Sequence, residues 1–404
     1  MTAAAGSLSS AATGTVNYNQ GSSGQAVPAA NYGNLTFSNF NKALPAATVG
    51  ISGTFTPGTA TGHTITGNTI NFNSGGTQTI PAFNYNNLTS SGAVFRNLAS
   101  SGTIGIASVF SPGGGLFTTT GSTVDFNGVG AQTIPSINYN NLVTSTSGVK
   151  TTGGTFTVNG NATVGAGTTL LVASGTTLTV TGTLTNNNVI QGTGTIANNF
   201  SNAGTVAPGL SPGILNITGT YANPGTLNIE IGGTAGAGVN PNGHDQLLIT
   251  GAATLGGTLN VTLTNGFTPA GGNSFLILDA ASSTGTFATT NLPNIAPLTW
   301  SVIYNNAAGT VTLNVVAPVA ASVSISGRVM TPEGRGLRNA VVELTDTNGQ
   351  TRMTRTSTFG YYRFDEIEVG QTIVLSVRAK RYQFNSQVVS VSENLEDVNF
   401  TAIP

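Results

Sequence analysis

Three stretches of this chain repeat one another at a fixed distance, and that periodicity limits the fold more than any other feature. Thr15–Leu35 (TVNYNQGSSGQAVPAANYGNL), Thr69–Leu88 (TINFNSGGTQTIPAFNYNNL) and Thr123–Leu142 (TVDFNGVGAQTIPSINYNNL) align through Tyr18, Phe72 and Phe126, which are 54 residues apart. Pro28, Pro81 and Pro135 correspond, as do Tyr32, Tyr85 and Tyr139, and Leu35, Leu88 and Leu142. Self-similarity at a fixed period marks an array whose units bury their apolar faces against one another. Within each unit apolar and polar residues alternate, so the elements are strands. A unit of this length holds two or three solenoid turns. Separate small β-sandwiches, one per repeat, are the alternative arrangement.

From about residue 150 to 260 the pattern shortens to strands of four or five residues separated by Gly, Asn or Ser-Gly corners, as in TFTVNGNATVGAGTTLLVASGTTLTVTGTLTNNN. Inward Val, Leu and Ile, outward Thr and Asn, and glycine at corners are the features of a parallel β-helix. No helix-period segment precedes residue 321. Only 6% of the 404 residues are charged, against about 25% in an average domain. Stacked strands ~4.8 Å apart would set like charges face to face at a cost of order 1 kcal/mol, whereas Thr and Asn can form ladders. Asp125, standing where the other repeats have Asn17 and Asn71, reads as ladder variation and not as a catalytic acid.

Charge also sets a boundary. Residues 1–321 carry seven charged side chains (Lys42, Arg96, Lys150, Asp125, Glu230, Asp245 and Asp279), and residues 322–404 carry nine basic and nine acidic ones. The expected organisation is an N-terminal segment 1–14, β repeats over 15–160, a β-helix over 161–317 and a separate domain over 322–404.

Two resemblances extend this reading. VAPGLSPGILNITGTYANPGTLNIEIGG, HDQLLITGAATLGGTLNVTL and GNSFLILDAASSTGTF, within 205–315, resemble the distal part of autotransporter-type passenger domains and related bacterial β-strand-repeat surface proteins. That resemblance implies a right-handed β-helix at a bacterial cell surface, although no membrane β-barrel follows in this sequence. SISGRVMTPEGRGLRNAVVELTD, TRTSTFGYYRFDEIEVG and TIVLSVRAKRYQ resemble the carboxypeptidase-regulatory-like, or transthyretin-like, domain. It implies a seven-stranded Ig-like β-sandwich, an accessory domain with no catalytic residues. The fold expected is therefore all-β: a right-handed parallel β-solenoid with a C-terminal β-sandwich.

The chemistry-bearing residues are few. No cysteine is present and the net charge is −1, which leaves no thiol site and no electrostatic footprint for nucleic acid. No apolar run approaches the ~20 residues of a membrane span. The N-terminus lacks signal-peptide features, so the sequence reads as a mature chain or a fragment. His63 and His244 have no partner at metal-ligand spacing. Glu230 and Asp245 could meet on adjacent turns, but a strand-and-turn contact explains them equally well. No catalytic, cofactor-binding or metal-binding residue and no cofactor is expected. Arg378, Lys380 and Arg381 form the only basic cluster; Arg352, Arg355 and Arg363 either join it or face the opposite sheet. A solvated face balanced by Asp365, Glu366 and Glu368 is the plain reading. Tyr361 and Tyr362 point to opposite sides of their strand.

The function expected is a structural subunit of an extracellular filament or surface layer, joined to other copies of itself through solenoid ends, with residues 1–14 suited to adding a strand to a neighbour. A monomeric adhesin stalk binding a glycan or host surface is the second expectation, and a polysaccharide-active enzyme the third.

Overall fold

The computed structural model describes residues 13–92, 95–318 and 322–404. Contacts divide the chain into two compact units, residues 1–317 and 318–404. Most of the segment expected to add a strand to a neighbour, residues 1–12, lies outside the described residues. No helix occurs among the described residues.

The first unit is a parallel β-solenoid. Its short strands pair with strands about one turn away: Thr15 with Asn34, Thr48 with Thr69, Thr123 with Asn141, Ala162 with Leu184. One ten-stranded sheet runs from Asn84–Tyr85 to Ser282–Thr284, and an eight-stranded sheet runs from Gln132–Ile134 to Thr289–Asn291. The ten-stranded sheet spans both the repeats and the later short-strand region, so the repeats are turns of one solenoid and not separate sandwiches. A single apolar core follows it from Tyr18 to Val315.

Pairing explains the 54-residue period. Thr15–Tyr18 pairs with Asn34–Phe37, three sheet positions later, so three positions complete a turn. Between Thr15 and Thr69 the chain visits seven strands and the Ala43–Thr64 bridge; between Thr69 and Thr123 it visits eight strands. Each repeat thus makes two and two-thirds turns. Thr15–Tyr18, Thr69–Phe72 and Thr123–Phe126 accordingly fall in three different sheets. The repeat is a screw operation that advances the chain and rotates it by one face.

Its recurring residues have local reasons. Tyr32, Tyr85 and Tyr139 are buried, and each hydroxyl donates to the carbonyl four residues back, Pro28 (2.8 Å), Pro81 (3.0 Å) and Pro135 (2.8 Å). The ring fills the core while its polar tip satisfies an inward carbonyl. Asn73 Nδ2, from the second repeat, donates to Asn31 Oδ1 of the first (3.2 Å), and Asn127 Nδ2, from the third, donates to Asn84 Oδ1 of the second (2.9 Å). Each bond passes over a glycine, Gly50 or Gly105, where a Cβ would overlap the amides. Further on, Asn186, Asn202 and Asn223 form a buried amide ladder at 2.8 and 2.9 Å.

The parallel stack ends by reversing direction. Ser274–Asp279 pairs antiparallel with Thr310–Val316, which pairs antiparallel with Thr299–Asn305. Leu292, Ile295, Leu298 and Trp300 pack against the solenoid core.

The second unit is a β-sandwich. Tyr361–Glu368, Ser322–Met330 and Phe400–Thr401 form one sheet; Thr351–Arg355, Val341–Thr345, Thr372–Arg378 and Gln387–Ser390 form the other, in those orders. These are the seven strands expected from the sequence. Ile325, Val329, Val342, Leu344, Tyr362, Phe364, Ile373 and Leu375 fill the space between the sheets. Alternation along Tyr361–Glu368 buries Tyr362 and Phe364 and leaves Tyr361 exposed beneath the Arg328 guanidinium.

Candidate functional site

The three solenoid cations are the least expected feature. Lys42, Arg96 and Lys150 are 1%, 0% and 0% exposed, and they stand 54 residues apart. Each lies in register with a glutamine one turn before it: Gln25, Gln78 and Gln132. Lys42 Nζ donates to Ser38 O (2.8 Å) and Phe40 O (2.7 Å). Arg96 donates to the carbonyls of Phe72, Ser74, Gly76, Ser91 and Phe95 at 2.9–3.2 Å. Lys150 Nζ donates to Gly128 O (2.6 Å), Gly130 O (3.0 Å) and Gln132 Oε1 (2.7 Å). The glutamines tie down the preceding turn: Gln78 Nε2 donates to Ile51 O and Gly53 O, and Gln132 Nε2 to Ile106 O and Ser108 O. Corner carbonyls that face inward need donors, and one cation supplies several. Burial lowers the pKa of all three cations, and Asp125 partly restores that of Lys150. They hold the corners together and offer nothing to a ligand.

The solenoid acids and histidines are likewise engaged. Asp125 accepts from Ser145 Oγ at 2.8 and 2.9 Å, as Asn17 Oδ1 accepts from Ser38 Oγ (3.0 Å) in the first repeat. Burial raises its pKa against the opposing pull of Ser145 and Lys150. Glu230 and Asp245 do meet, through the main chain: Asp245 N donates to Glu230 O, and Asp245 Oδ2 accepts from Glu230 N, both at 2.8 Å. Asp245 Oδ1 accepts from Gly213 N (2.7 Å). Burial pushes the Asp245 carboxyl up to about 7; its two amide donors oppose the shift and Glu230 adds to it. Both acids line an open cleft of about 550 Å³ with Asn228 and Asn260, two half-buried rungs of an amide ladder completed by Asn291. His63 accepts from Lys42 N through Nδ1 (2.9 Å), and its ring lies against Phe37 and Phe83. His244 packs edge-on to Phe275, with Nε2 3.2 Å from Leu276 O. Among the described residues no three His, Asp or Glu side chains gather as metal ligands.

The basic cluster of the sandwich is where free charge converges. Val341 pairs with Arg355 on one side and Arg378 on the other, so the three side chains share a sheet face. Alternation sends Val342, Leu344, Leu375 and Val377 into the core, which puts Val341, Arg355 and Arg378 on the outer face. The backbones of Arg355 and Arg378 are two strand spacings apart, ~9–10 Å. Arg338 and Asn339 from the preceding turn, with Lys380, Arg381 and Tyr382 beyond the strand, complete a groove of about 710 Å³. Glu343, two residues along the same face, pairs with Arg378. Among the described residues no carboxylate lies within ion-pair reach of Arg338, Arg355, Lys380 or Arg381.

Arg355 therefore joins the cluster, and Arg352 and Arg363 do not. Arg352 donates to Asp365 O and Glu366 O and lies over Phe364; Arg363 pairs with Asp365 at 2.6 Å. Asp365 thus balances Arg363 and not the cluster. Arg338 escaped the sequence reading because it precedes its strand by three residues and is distant in sequence from 378–381.

The architecture is that of a parallel β-solenoid carrying an Ig-like sandwich. The sandwich is a carboxypeptidase regulatory-like domain: residues 324–402 match that family's model. No curated protein sequence matches the chain.

Proposed function

We propose that this chain is a structural subunit of an extracellular filament or surface layer, assembling end to end through its solenoid. One observation carries the reading: among the described residues, each end of the solenoid presents three outermost strands, one per sheet. Among the described residues, Thr15–Tyr18, Gln25–Ala26 and Asn31–Tyr32 each pair on one side only, and so do Ser282–Thr284, Thr289–Asn291 and Thr299–Asn305 at the other end. Open edges are templates for another chain, and a head-to-tail contact between unlike ends does not close on itself. The low charge of the solenoid and its Asn and Thr ladders suit an inert rod. The likeness of 205–315 to autotransporter-type passenger domains supports a place outside a bacterial cell.

A single, unassembled stalk is the second reading, favoured by the packing of Leu292, Ile295, Leu298 and Trp300 against the core. Negative-stain microscopy of the full chain separates the two. Filaments support the proposal; isolated short rods at every concentration leave the stalk. No helix of the described chain is long and apolar enough to cross a membrane.

A further inference from the structure

We infer that the outer groove of the carboxypeptidase regulatory-like domain binds an acidic polysaccharide, a glycan chain with repeated carboxylates. The domain has as many acids as bases, yet five of its nine bases line this one groove. The one carboxylate on the same sheet face near them, Glu343, is taken by Arg378. Segregated charge makes a local positive field that a balanced total conceals. Arg338, Arg355, Lys380 and Arg381 are exposed and face solvent without carboxylate partners. Guanidinium groups match carboxylates two N–H groups at a time.

The spacing selects a polymer. Cations whose backbones stand ~9–10 Å apart across the sheet suit charges repeating along an extended chain better than one small anion. Asn339 and Tyr382 stand among them as neutral partners for hydroxyls. Tyr382 is the single aromatic ring in the groove, whereas strand-wise nucleic acid binding uses several stacking rings. A peptide adding as a strand would pair along the free edge of Thr351–Arg355 and not over the groove floor, because Val341–Thr345 is paired on both sides. Each exposed pair contributes little by itself; affinity arises from several acting along one chain. Nothing in this inference depends on end-to-end assembly.

Calorimetric titration of the full chain with polygalacturonate tests it, beside fully methyl-esterified polygalacturonate and single-stranded DNA. Saturable binding of polygalacturonate is expected, weakening about tenfold or more as salt rises from about 50 to about 300 mM. The Arg338→Gln/Arg355→Gln variant should bind about tenfold more weakly, and Arg363→Gln, outside the groove, should bind as the parent does. All three positions are exposed, so melting curves should match the parent's and exclude misfolding. Absence of binding, equal binding of the neutral ester, equal binding of DNA, or full affinity in the double variant would overturn the assignment.

Discussion

A lysine or arginine enclosed in a solenoid corner must find its acceptors on the main chain, and the number found should set the cost of losing it. Arg96 makes five such bonds and Lys42 two, while Lys150 makes two and a third to Gln132 Oε1. Arg96→Met should destabilise the solenoid by about 3 kcal/mol, since buried partners left without their charge are costly. Melting temperatures should fall in the order Arg96→Met, Lys150→Met, Lys42→Met, from largest loss to smallest; an unchanged melt for Arg96→Met would refute the corner role. The signal was present in the sequence. Three of only seven solenoid charges recur at the repeat period, each following a recurring glutamine, yet they read as scattered charges because burial is invisible without register. Asp245 gives a pH signature. Its carboxyl binds a proton more tightly in the folded state, about 7 against 3.8. Its stabilisation is therefore complete below about 4 and is lost as pH rises through about 7. His63 and His244, both lowered by burial, act in the opposite sense near their ordinary range. The difference between parent and Asp245→Asn isolates the aspartate: the parent's melting temperature should fall relative to the variant's between pH 4 and pH 7.5. Parallel curves would contradict this.

At the level of strands, the repeat is a screw operation, and that makes it removable. Deleting residues 69–122 brings Thr123–Phe126 into the place of Thr69–Phe72, with matching residues at Tyr85 and Tyr139 to receive it. The shortened chain should keep a cooperative unfolding transition, with a solenoid ~13 Å shorter at ~4.8 Å per turn, measurable by small-angle scattering. Removing only residues 69–77, one strand and its corner, should abolish cooperative unfolding because every later strand would meet the wrong face. Equal behaviour of the two deletions would contradict the screw relation. The alternation and the period were legible from residues such as Tyr18, Phe72 and Phe126. The rotation was not, because it depends on which strand each one pairs with. The Gly50 and Gly105 clasps were hidden for a similar reason: the two asparagines of each lie two turns apart.

For the whole molecule, the division near residue 317 and both fold types were readable, since charge density and strand pattern change together there. The groove was readable only in part. Arg378, Lys380 and Arg381 are adjacent in sequence, but Arg355 reaches them across Val341 and Arg338 through a turn, juxtapositions made by antiparallel pairing. The proposed end-to-end assembly runs through the two solenoid ends, and Ile303, exposed on the outermost strand Thr299–Asn305, is the position at which to test it. A lysine there adds a charge to the strand edge, a common device against edge pairing, without entering the core. Sedimentation velocity of the parent and Ile303→Lys across a concentration series should show the parent growing into large, concentration-dependent species and the variant remaining a single slow species. A parent that sediments as one small species at every concentration, or a variant that assembles as the parent does, would contradict assembly through this end.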